Sequence, residues 1–142
     1  MSLKLIFNHF FPNPIPLILS NFTQIKVINN DNNDNNDNYN KIRINYYDKL
    51  NNNTYAGYIS YRPAVGQVGL FFLEKSYQNR GLGKQILLQT IEDMKKYNTT
   101  EIWAVTTENH PFWSNVFNKS FSWYEYEQLH LSVTGSGYKM KI

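Results

Sequence analysis

Cysteine is absent from this chain of 142 residues. Without it the protein has no disulfide framework, no thiolate metal ligand and no cysteine nucleophile. Long apolar runs are also missing, since none reaches the roughly 18 residues of a membrane-spanning helix. Pro12, Pro14 and Pro16 interrupt the amino-terminal stretch where a signal peptide would carry its hydrophobic region. These absences predict a soluble, intracellular protein of the cytoplasm that binds no membrane.

A strong excess of one charge is lacking too. The chain has 14 Lys and Arg against 11 Asp and Glu, a formal net charge of +3, and a pI of about 9.0. A nucleic-acid-binding domain is one alternative, and it predicts a steep salt dependence of binding. Because the basic residues form no block along the chain, we expect an anionic small ligand and no nucleic acid.

Asparagine and aspartate dominate one segment, NNDNNDNNDNYN at 29–40. The segment has no apolar residue before Tyr39, so burial cannot offset its ordering entropy, and a flexible surface loop is predicted. A metal site made of Asp31, Asp34 and Asp37 is the alternative. The spacing lacks the central glycine and closing glutamate of an EF-hand calcium loop, so we expect no metal.

The length suits a single domain over residues 1–142, and 42% hydrophobic residues can supply its core. Residues 4–11 are compatible with a helix or a strand. Alternation of apolar and polar residues predicts strands at 23–28, 40–48, 55–62 and 67–73. Apolar residues at helical spacing predict an amphipathic helix of about 16 residues from Leu82. A strand at 101–107 parallel to 67–73, a helix at 110–119 and strands at 121–127 and 137–142 complete an α/β fold with a mostly antiparallel, mixed sheet.

Two features of this sheet are expected to matter for function. The nearly continuous apolar run at 67–73 predicts a central strand covered on both faces. Gly69 within it predicts a bulge or a close backbone approach. Trp103, Trp113 and Trp123 are expected in the core.

The loop QNRGLG at 78–83 joins this strand to the helix. Gly81 and Gly83 allow a ligand close to the backbone, and Arg80 and Lys84 add positive charge. Amides at a helix N-terminus bind phosphate. A dinucleotide-binding turn would need glycine where Ile86 stands, and no P-loop sequence is present. A helix that merely begins with glycines is the alternative.

The stretch LFFLEKSYQNRGLGKQILLQTIEDM resembles the acetyl-CoA signature of the GNAT superfamily of N-acetyltransferases, and TTENHPFW is similar to the segment that follows the next strand in that family. The likeness covers roughly residues 40–142. It implies the GNAT fold, in which the parallel central strands splay apart at the cofactor, and acetyl-CoA as cosubstrate. It also implies the cofactor-binding residues Phe71, Phe72, Leu73, Gln78, Asn79, Arg80, Gly81, Leu82, Gly83, Lys84 and Asn109.

Candidates for proton transfer are few. Some family members have a glutamate base where this chain has Gln67, which cannot take a proton. Others have a tyrosine acid, and here either Val116 or Trp113 occupies that position. The resemblance therefore leaves three catalytic candidates: Glu108, His110 and Tyr124.

The leading hypothesis is an acetyl-CoA-dependent N-acetyltransferase in which a primary amine attacks the thioester directly. A polyamine, an amino sugar and a protein amine all stay open as acceptors, and so does a homodimer. The alternative is a non-catalytic CoA-binding or interaction module with the same fold, suggested by Gln67 and the missing tyrosine.

Overall fold

Seven strands form one sheet in the order β1-β2-β3-β4-β5-β7-β6. The computed structural model describes residues 15–29, 40–106, 126–131 and 135–142. Every neighbouring pair is antiparallel except β4 and β5, which are parallel. The elements are β1 Phe22–Asn29, β2 Lys41–Asp48, β3 Thr54–Arg62, β4 Gln67–Leu73, α1 Leu82–Lys95, β5 Glu101–Thr106, β6 Tyr126–Leu131 and β7 Gly135–Lys141. The mixed sheet with one parallel pair, expected from the sequence, is confirmed.

Helix α1 covers one face of the sheet, which we call the helix face. Its predicted apolar stripe is confirmed, because the following residues are at most 1% exposed: Leu82, Ile86, Leu87, Ile91 and Met94. Each such side chain contributes roughly 1.5–3 kcal/mol by its burial. The hydroxyl of Tyr61 on β3 donates a hydrogen bond to Asp93 of α1, which places the Tyr61 side chain on the helix face.

Strand β2 shows the predicted period of two. Ile42, Ile44 and Tyr46 are buried on the helix face, whereas Lys41 and Arg43 are half-buried on the other side, which we call the open face. Tyr46 is fully buried, and its hydroxyl has no hydrogen-bond partner among the described residues. Burial raises the pKa of Tyr46 above the usual range of tyrosine.

The sequence predicted a central strand at 67–73 with both faces covered, and the prediction that both faces are covered is wrong. Strand β4 does lie in the middle of the sheet, but Leu70 is 61% exposed and Phe72 is 42% exposed. Within the described ranges α1 is the one helix of more than three residues, and it packs on the side of Val68. An apolar run therefore did not indicate burial on both faces.

The last two strands differ in position from the prediction. Strand β6 extends to Leu131 rather than Glu127, and β7 begins at Gly135 rather than residue 137. Gly135 and Gly137 weaken the sequence signal for a strand. Pairing with β6 on one side and β5 on the other nevertheless holds them in the sheet.

Several predictions lie outside the described residues. These are the structure of 4–11, most of the Asn/Asp-rich segment with its alternative metal ligands Asp31, Asp34 and Asp37, the helix at 110–119, and residues 121–125. Asn29 is the last residue of β1 and pairs with Lys41. No helix in the described ranges is long and apolar enough to cross a membrane.

Candidate active site

The connection from β4 to α1 has an unusual backbone. A single 3-10 turn at Lys75–Tyr77 precedes Gln78, and Asn79 then adopts a φ of 58°. Gly81 has a φ of 82° and is the N-cap of α1, with no side chain capping the helix. Positive φ at Gly81 explains why glycine occupies this position. The first-turn N–H groups of α1 thus have no side-chain acceptor at the N-cap, and they carry the positive end of the helix dipole.

Side chains of the connection hold its own backbone. Gln78 Nε2 donates to the Leu73 carbonyl at 2.8 Å. Arg80 donates from Nε to the Ile15 carbonyl at 2.8 Å and from an Nη atom to the Ser76 carbonyl at 3.0 Å. The sequence suggested Arg80 as a source of charge for a phosphate, whereas the structure gives its guanidinium a positioning role.

Gln85 is a positioning residue that the sequence analysis missed. Its Nε2 donates to the Leu17 carbonyl at 2.7 Å and to the Gly81 carbonyl at 3.1 Å. Its Oε1 accepts from the Leu19 N–H at 2.8 Å. The segment before β1 is thereby attached to the N-terminus of α1. A polar residue in the second turn of a helix is common, so no sequence signal distinguishes it.

The remaining cofactor candidates of the connection differ in exposure. Leu82 and Gly83 are buried, and the Leu82 side chain belongs to the core. Lys84 is exposed in the first turn of α1. A ligand at this helix end would therefore contact the main chain of Leu82 and Gly83 and the side chain of Lys84.

Strands β4 and β5 separate after two residue pairs. Gln67 pairs with Trp103 and Val68 with Ala104, and the ladder ends there. Strand β4 continues along β3 as far as Leu73, while β5 continues along β7. A cleft therefore opens between the carboxyl halves of the two parallel strands, at the end of β4 from which the chain continues into the connection to α1.

A β-bulge lies where the cleft begins. Ile59 pairs with Phe71 and Tyr61 with Val68, so Gly69 and Leu70 both face Ser60. The Leu70 N–H donates to Ser60 Oγ at 3.0 Å. A Cβ atom on Gly69 would lie 3.0 Å from Ser60 Oγ and 3.3 Å from its carbonyl oxygen. The predicted bulge and close approach at Gly69 are confirmed.

A cavity of about 620 Å³ adjoins the bulge on the open face. Trp103 is half-buried there rather than a core residue, and its indole N–H donates to the Val65 carbonyl at 3.0 Å. The cavity is lined chiefly by Lys41, Ser60, Arg62, Gln67, Leu70 and Trp103. We call it the open-face cavity.

A second cavity of about 450 Å³ lies beside the connection from β4 to α1. Asp48 in its wall accepts hydrogen bonds from the Tyr77 hydroxyl at 2.9 Å and the Leu50 N–H at 3.0 Å. Burial raises the pKa of Tyr77. Both oxygens of Asp48 are engaged in holding the fold, which leaves this cavity without an evident reactive group among the described residues.

The predicted catalytic residues Glu108, His110 and Tyr124 lie outside the described residues, as does the cofactor candidate Asn109. No group of three or more His, Asp or Glu that could hold a metal ion occurs in the part of the chain that the structure describes.

Comparison with known proteins shows what this arrangement is similar to. Residues 19–115 match the model of the acetyltransferase (GNAT) family. No curated protein matches the sequence. Solved structures do share the fold, and they include the PaiA N-acetyltransferase from Thermoplasma acidophilum in complex with coenzyme A. That structure is 14% identical, has a TM-score of 0.58, and aligns over 72% of this chain and 61% of its own.

Two further solved structures share the fold at a similarly low sequence identity. A GNAT-family acetyltransferase from Staphylococcus aureus is 14% identical with a TM-score of 0.54, over 71% of this chain and 67% of its own. A spermidine N-acetyltransferase from Vibrio cholerae is 12% identical with a TM-score of 0.54, over 75% of this chain and 66% of its own. This chain thus spans about three fifths to two thirds of these proteins. Because the family match covers more than half of the sequence, this chain is a member of the GNAT acetyltransferase family, whose cosubstrate is acetyl-CoA.

Proposed function

We propose that this protein is an acetyl-CoA-dependent N-acetyltransferase acting on a primary amine. The observation that carries the proposal is the cleft between β4 and β5, which begins at the bulge of Gly69 and Leu70 and lies between the carboxyl halves of the two strands. A cleft of this kind can admit an extended arm alongside β4, with its phosphate end at the helix and its reactive end at the bulge.

The pyrophosphate of the cosubstrate would lie on the connection from Gln78 to Lys84. The left-handed backbone at Asn79 and Gly81 and the uncapped first turn of α1 present N–H groups suited to an anion. Arg80 and Gln78 would act indirectly, because their side chains hold the loop through carbonyl oxygens. Lys84 would add a charge at the rim.

The pantetheine arm would run beside the carboxyl half of β4, at Phe71, Phe72 and Leu73. This half of the strand has no partner in β5. Main-chain pairing of an extended ligand with an open strand edge is a general binding mode. Asn109 would contact the arm from the opposite side of the cleft, as the family resemblance implies.

In the reaction, the amine nitrogen bonds to the acetyl carbonyl carbon, the carbon–sulfur bond breaks, and the thiolate leaves with the bonding pair. The nitrogen loses a proton to a base or to water, and the thiolate gains one. Orientation and carbonyl polarisation by a main-chain N–H can supply most of the acceleration. Glu108, His110 and Tyr124 are our candidates for the proton transfers.

One observation favours a second candidate function, a CoA-binding module without catalysis. Gln67 lies beside Trp103 at the closed end of the cleft, and an amide side chain cannot serve as a general base there. Binding of acetyl-CoA with no product from a broad amine panel would support this alternative.

The test is a series of melting temperatures with acetyl-CoA, CoA and NAD. A ligand at about 100 times its dissociation constant adds roughly 2.7 kcal/mol of stability, a shift of several degrees for a domain of this size. We expect both CoA forms to raise the melting temperature and NAD to have no effect. An unchanged melting temperature with all three would overturn the proposed function.

A pair of variants at one position tests the phosphate site. We expect Gly81→Asp to abolish CoA binding and Gly81→Asn to weaken it much less, because both side chains tolerate positive φ but only Asp brings a negative charge. A Cβ at this position has room, with its nearest contact 4.0 Å away at Gln85 Nε2. Equal CoA affinities of the two variants, measured by calorimetry, would contradict the placement.

A further inference from the structure

We propose that Ser60 is a positioning residue for the transferred acetyl group, and that it acts through the main chain of the β4 bulge. This role rests on the proposed function, in which the reactive end of the cosubstrate lies at Gly69 and Leu70. Ser60 faces these two residues from β3. It is only 2% exposed, so its effect on a ligand would pass through the backbone of β4.

The Ser60 hydroxyl bonds to both main-chain polar groups of Leu70. The Leu70 N–H donates to Ser60 Oγ at 3.0 Å, and the hydroxyl donates to the Leu70 carbonyl at the longer distance of 3.5 Å. In a regular antiparallel ladder these two groups can bond to the main chain of the residue opposite. A hydroxyl can replace that main chain because it both donates and accepts. Ser60 thus completes the ladder where the bulge interrupts it.

Gly69 leaves the space that this hydroxyl occupies. A Cβ atom on Gly69 would lie 3.0 Å from Ser60 Oγ and 3.3 Å from the Ser60 carbonyl oxygen, which is closer than ordinary van der Waals contact. A side chain at this position would therefore push the hydroxyl away from its present place. The two residues act as a pair, in which one supplies the hydroxyl and the other supplies the room for it.

The bond between Ser60 and Leu70 fixes the direction of the amides along β4. The Leu70 N–H points to β3, and so does the Glu74 N–H, which donates to the Ala56 carbonyl at 2.8 Å. Amides of a strand alternate between its two edges, so those at 70, 72 and 74 face β3 and those at 71 and 73 face the cleft. A bulge inserts one residue and resets this alternation. Ser60 therefore sets which amides of β4 point towards the cosubstrate.

Direction matters for the chemistry, because negative charge develops on the acetyl oxygen as the amine bonds to the carbonyl carbon. Main-chain donors stabilise that charge best when they are held in place before the reaction. A misplacement of about 1 Å can cost about 100-fold in rate. The Ser60 hydroxyl would thus assist polarisation of the carbonyl without contacting the phosphate end of the cosubstrate.

The experiment measures the polarisation of the carbonyl directly and needs no acceptor. Acetyl-CoA labelled with ¹³C at the acetyl carbonyl is bound at saturation, and isotope-edited infrared spectra record its C=O stretching band. We expect the band of the wild-type complex to lie at lower wavenumber than that of free acetyl-CoA, because hydrogen bonding weakens the C=O bond. Ser60→Ala should lose most of this shift. Its affinity for acetyl-CoA, measured by calorimetry, should stay within about threefold of the wild-type value, since the phosphate contacts are unchanged.

A second variant approaches the same bond from the other strand. Gly69→Ala keeps the Ser60 hydroxyl but displaces it, so we expect a partial loss of the shift, and this variant carries the test if Ser60→Ala does not fold. The double variant should lose no more of the shift than Ser60→Ala alone, because both changes act on one bond.

Thr90→Val is the matched control. Thr90 is 1% exposed, and its hydroxyl donates to the Ile86 carbonyl within α1 at 2.9 Å. The variant therefore removes a buried hydroxyl that is bonded to the main chain, as Ser60→Ala does, but away from the bulge. We expect it to leave the carbonyl band unchanged.

The outcomes separate the role of Ser60 from the proposed function. An unchanged band in both Ser60→Ala and Gly69→Ala, an equal loss of the shift in Thr90→Val, or no shift in the wild-type complex would overturn the role of Ser60 alone. No binding of acetyl-CoA to the wild-type protein would refute the proposed function itself.

Discussion

The two faces of the sheet are formed by the same strands but differ in how deeply their side chains are buried. On the helix face, alternate residues of β2 and β3 pack against α1 in the core, and even the polar Tyr61 is hydrogen-bonded to the helix. On the open face, Arg43 lies 3.7 Å above the ring of Tyr58, and Phe72 and Leu70 are exposed. One face supplies the buried core, and the other leaves apolar side chains of β4 exposed.

The largest expected effect is a difference in the free energy of unfolding between variants on the two faces. Leu87→Ala on the helix face is expected to cost about 2–5 kcal/mol, because it leaves a cavity in the core. Phe72→Ala on the open face should cost about 1 kcal/mol, since much of the ring already contacts solvent. Urea unfolding of both variants checks the difference. Equal losses would mean that both faces are core.

A smaller effect should separate two hydroxyls on the helix face. Tyr61→Phe removes a bonded hydroxyl and should lower the free energy of unfolding by about 1 kcal/mol. Tyr46→Phe removes a buried hydroxyl with no partner among the described residues and should raise it by up to about 1 kcal/mol.

Thermal unfolding of these two variants at pH 7 tests their opposite signs. Burial, followed by the bond to Asp93, raises the pKa of Tyr61 above its ordinary value of 10.0. The stabilisation by the Tyr61 hydroxyl is therefore fully present below pH 10.0 and is lost as the pH rises through the folded-state pKa of Tyr61. A loss of stability in Tyr46→Phe would show that its hydroxyl has a partner after all.

Removing the packing of the Arg43 guanidinium on the open face should have a smaller effect on stability. Arg43→Lys keeps the charge but loses the planar group over Tyr58 and its bond to Asn45. We expect a loss of about 0.5–1 kcal/mol in chemical unfolding. No change would mean that the guanidinium contributes charge alone.

The smallest effect is expected from the Asn/Asp-rich segment. Deleting residues 32–38 leaves Asn30, Asp31, Tyr39 and Asn40 between the paired residues Asn29 and Lys41, a length common in hairpins. Shortening a loop changes its closure entropy only slightly, so the melting temperature should stay nearly constant. A drop of several degrees would show that the segment packs against the domain.

Local pattern was enough to predict much of this protein. The alternation of Ile42, Ile44 and Tyr46 identified the buried side of β2, and helical spacing identified the stripe of α1. Gly69 indicated the bulge, and a Cβ atom there would lie only 3.0 Å from Ser60 Oγ. The change of period at Gly81, together with the family motif, located the connection that we propose for phosphate binding.

Long-range contacts could not be predicted in the same way. Gln85 meets residues 17–19 across more than sixty positions of sequence, and no local pattern records such a pairing. The exposure of Phe72 depends on which elements cover each face, which an apolar run does not specify. Lys41 and Arg62 are separated in the sequence, so their placement beside one cavity emerged only with the register of β2 and β3.

The side chain of Gln85 has a consequence for how the molecule opens. Its amide takes the place of a peptide group, accepting from Leu19 and donating to Leu17 as a neighbouring strand would. The Leu19 amide proton should therefore exchange with solvent when its hydrogen bond to Gln85 breaks, and the Leu17 amide proton when its hydrogen bond to the Arg80 carbonyl breaks. Neither event requires unfolding of the sheet. Hydrogen exchange at these two positions would report the opening of the helix end itself, on a timescale separate from that of global unfolding.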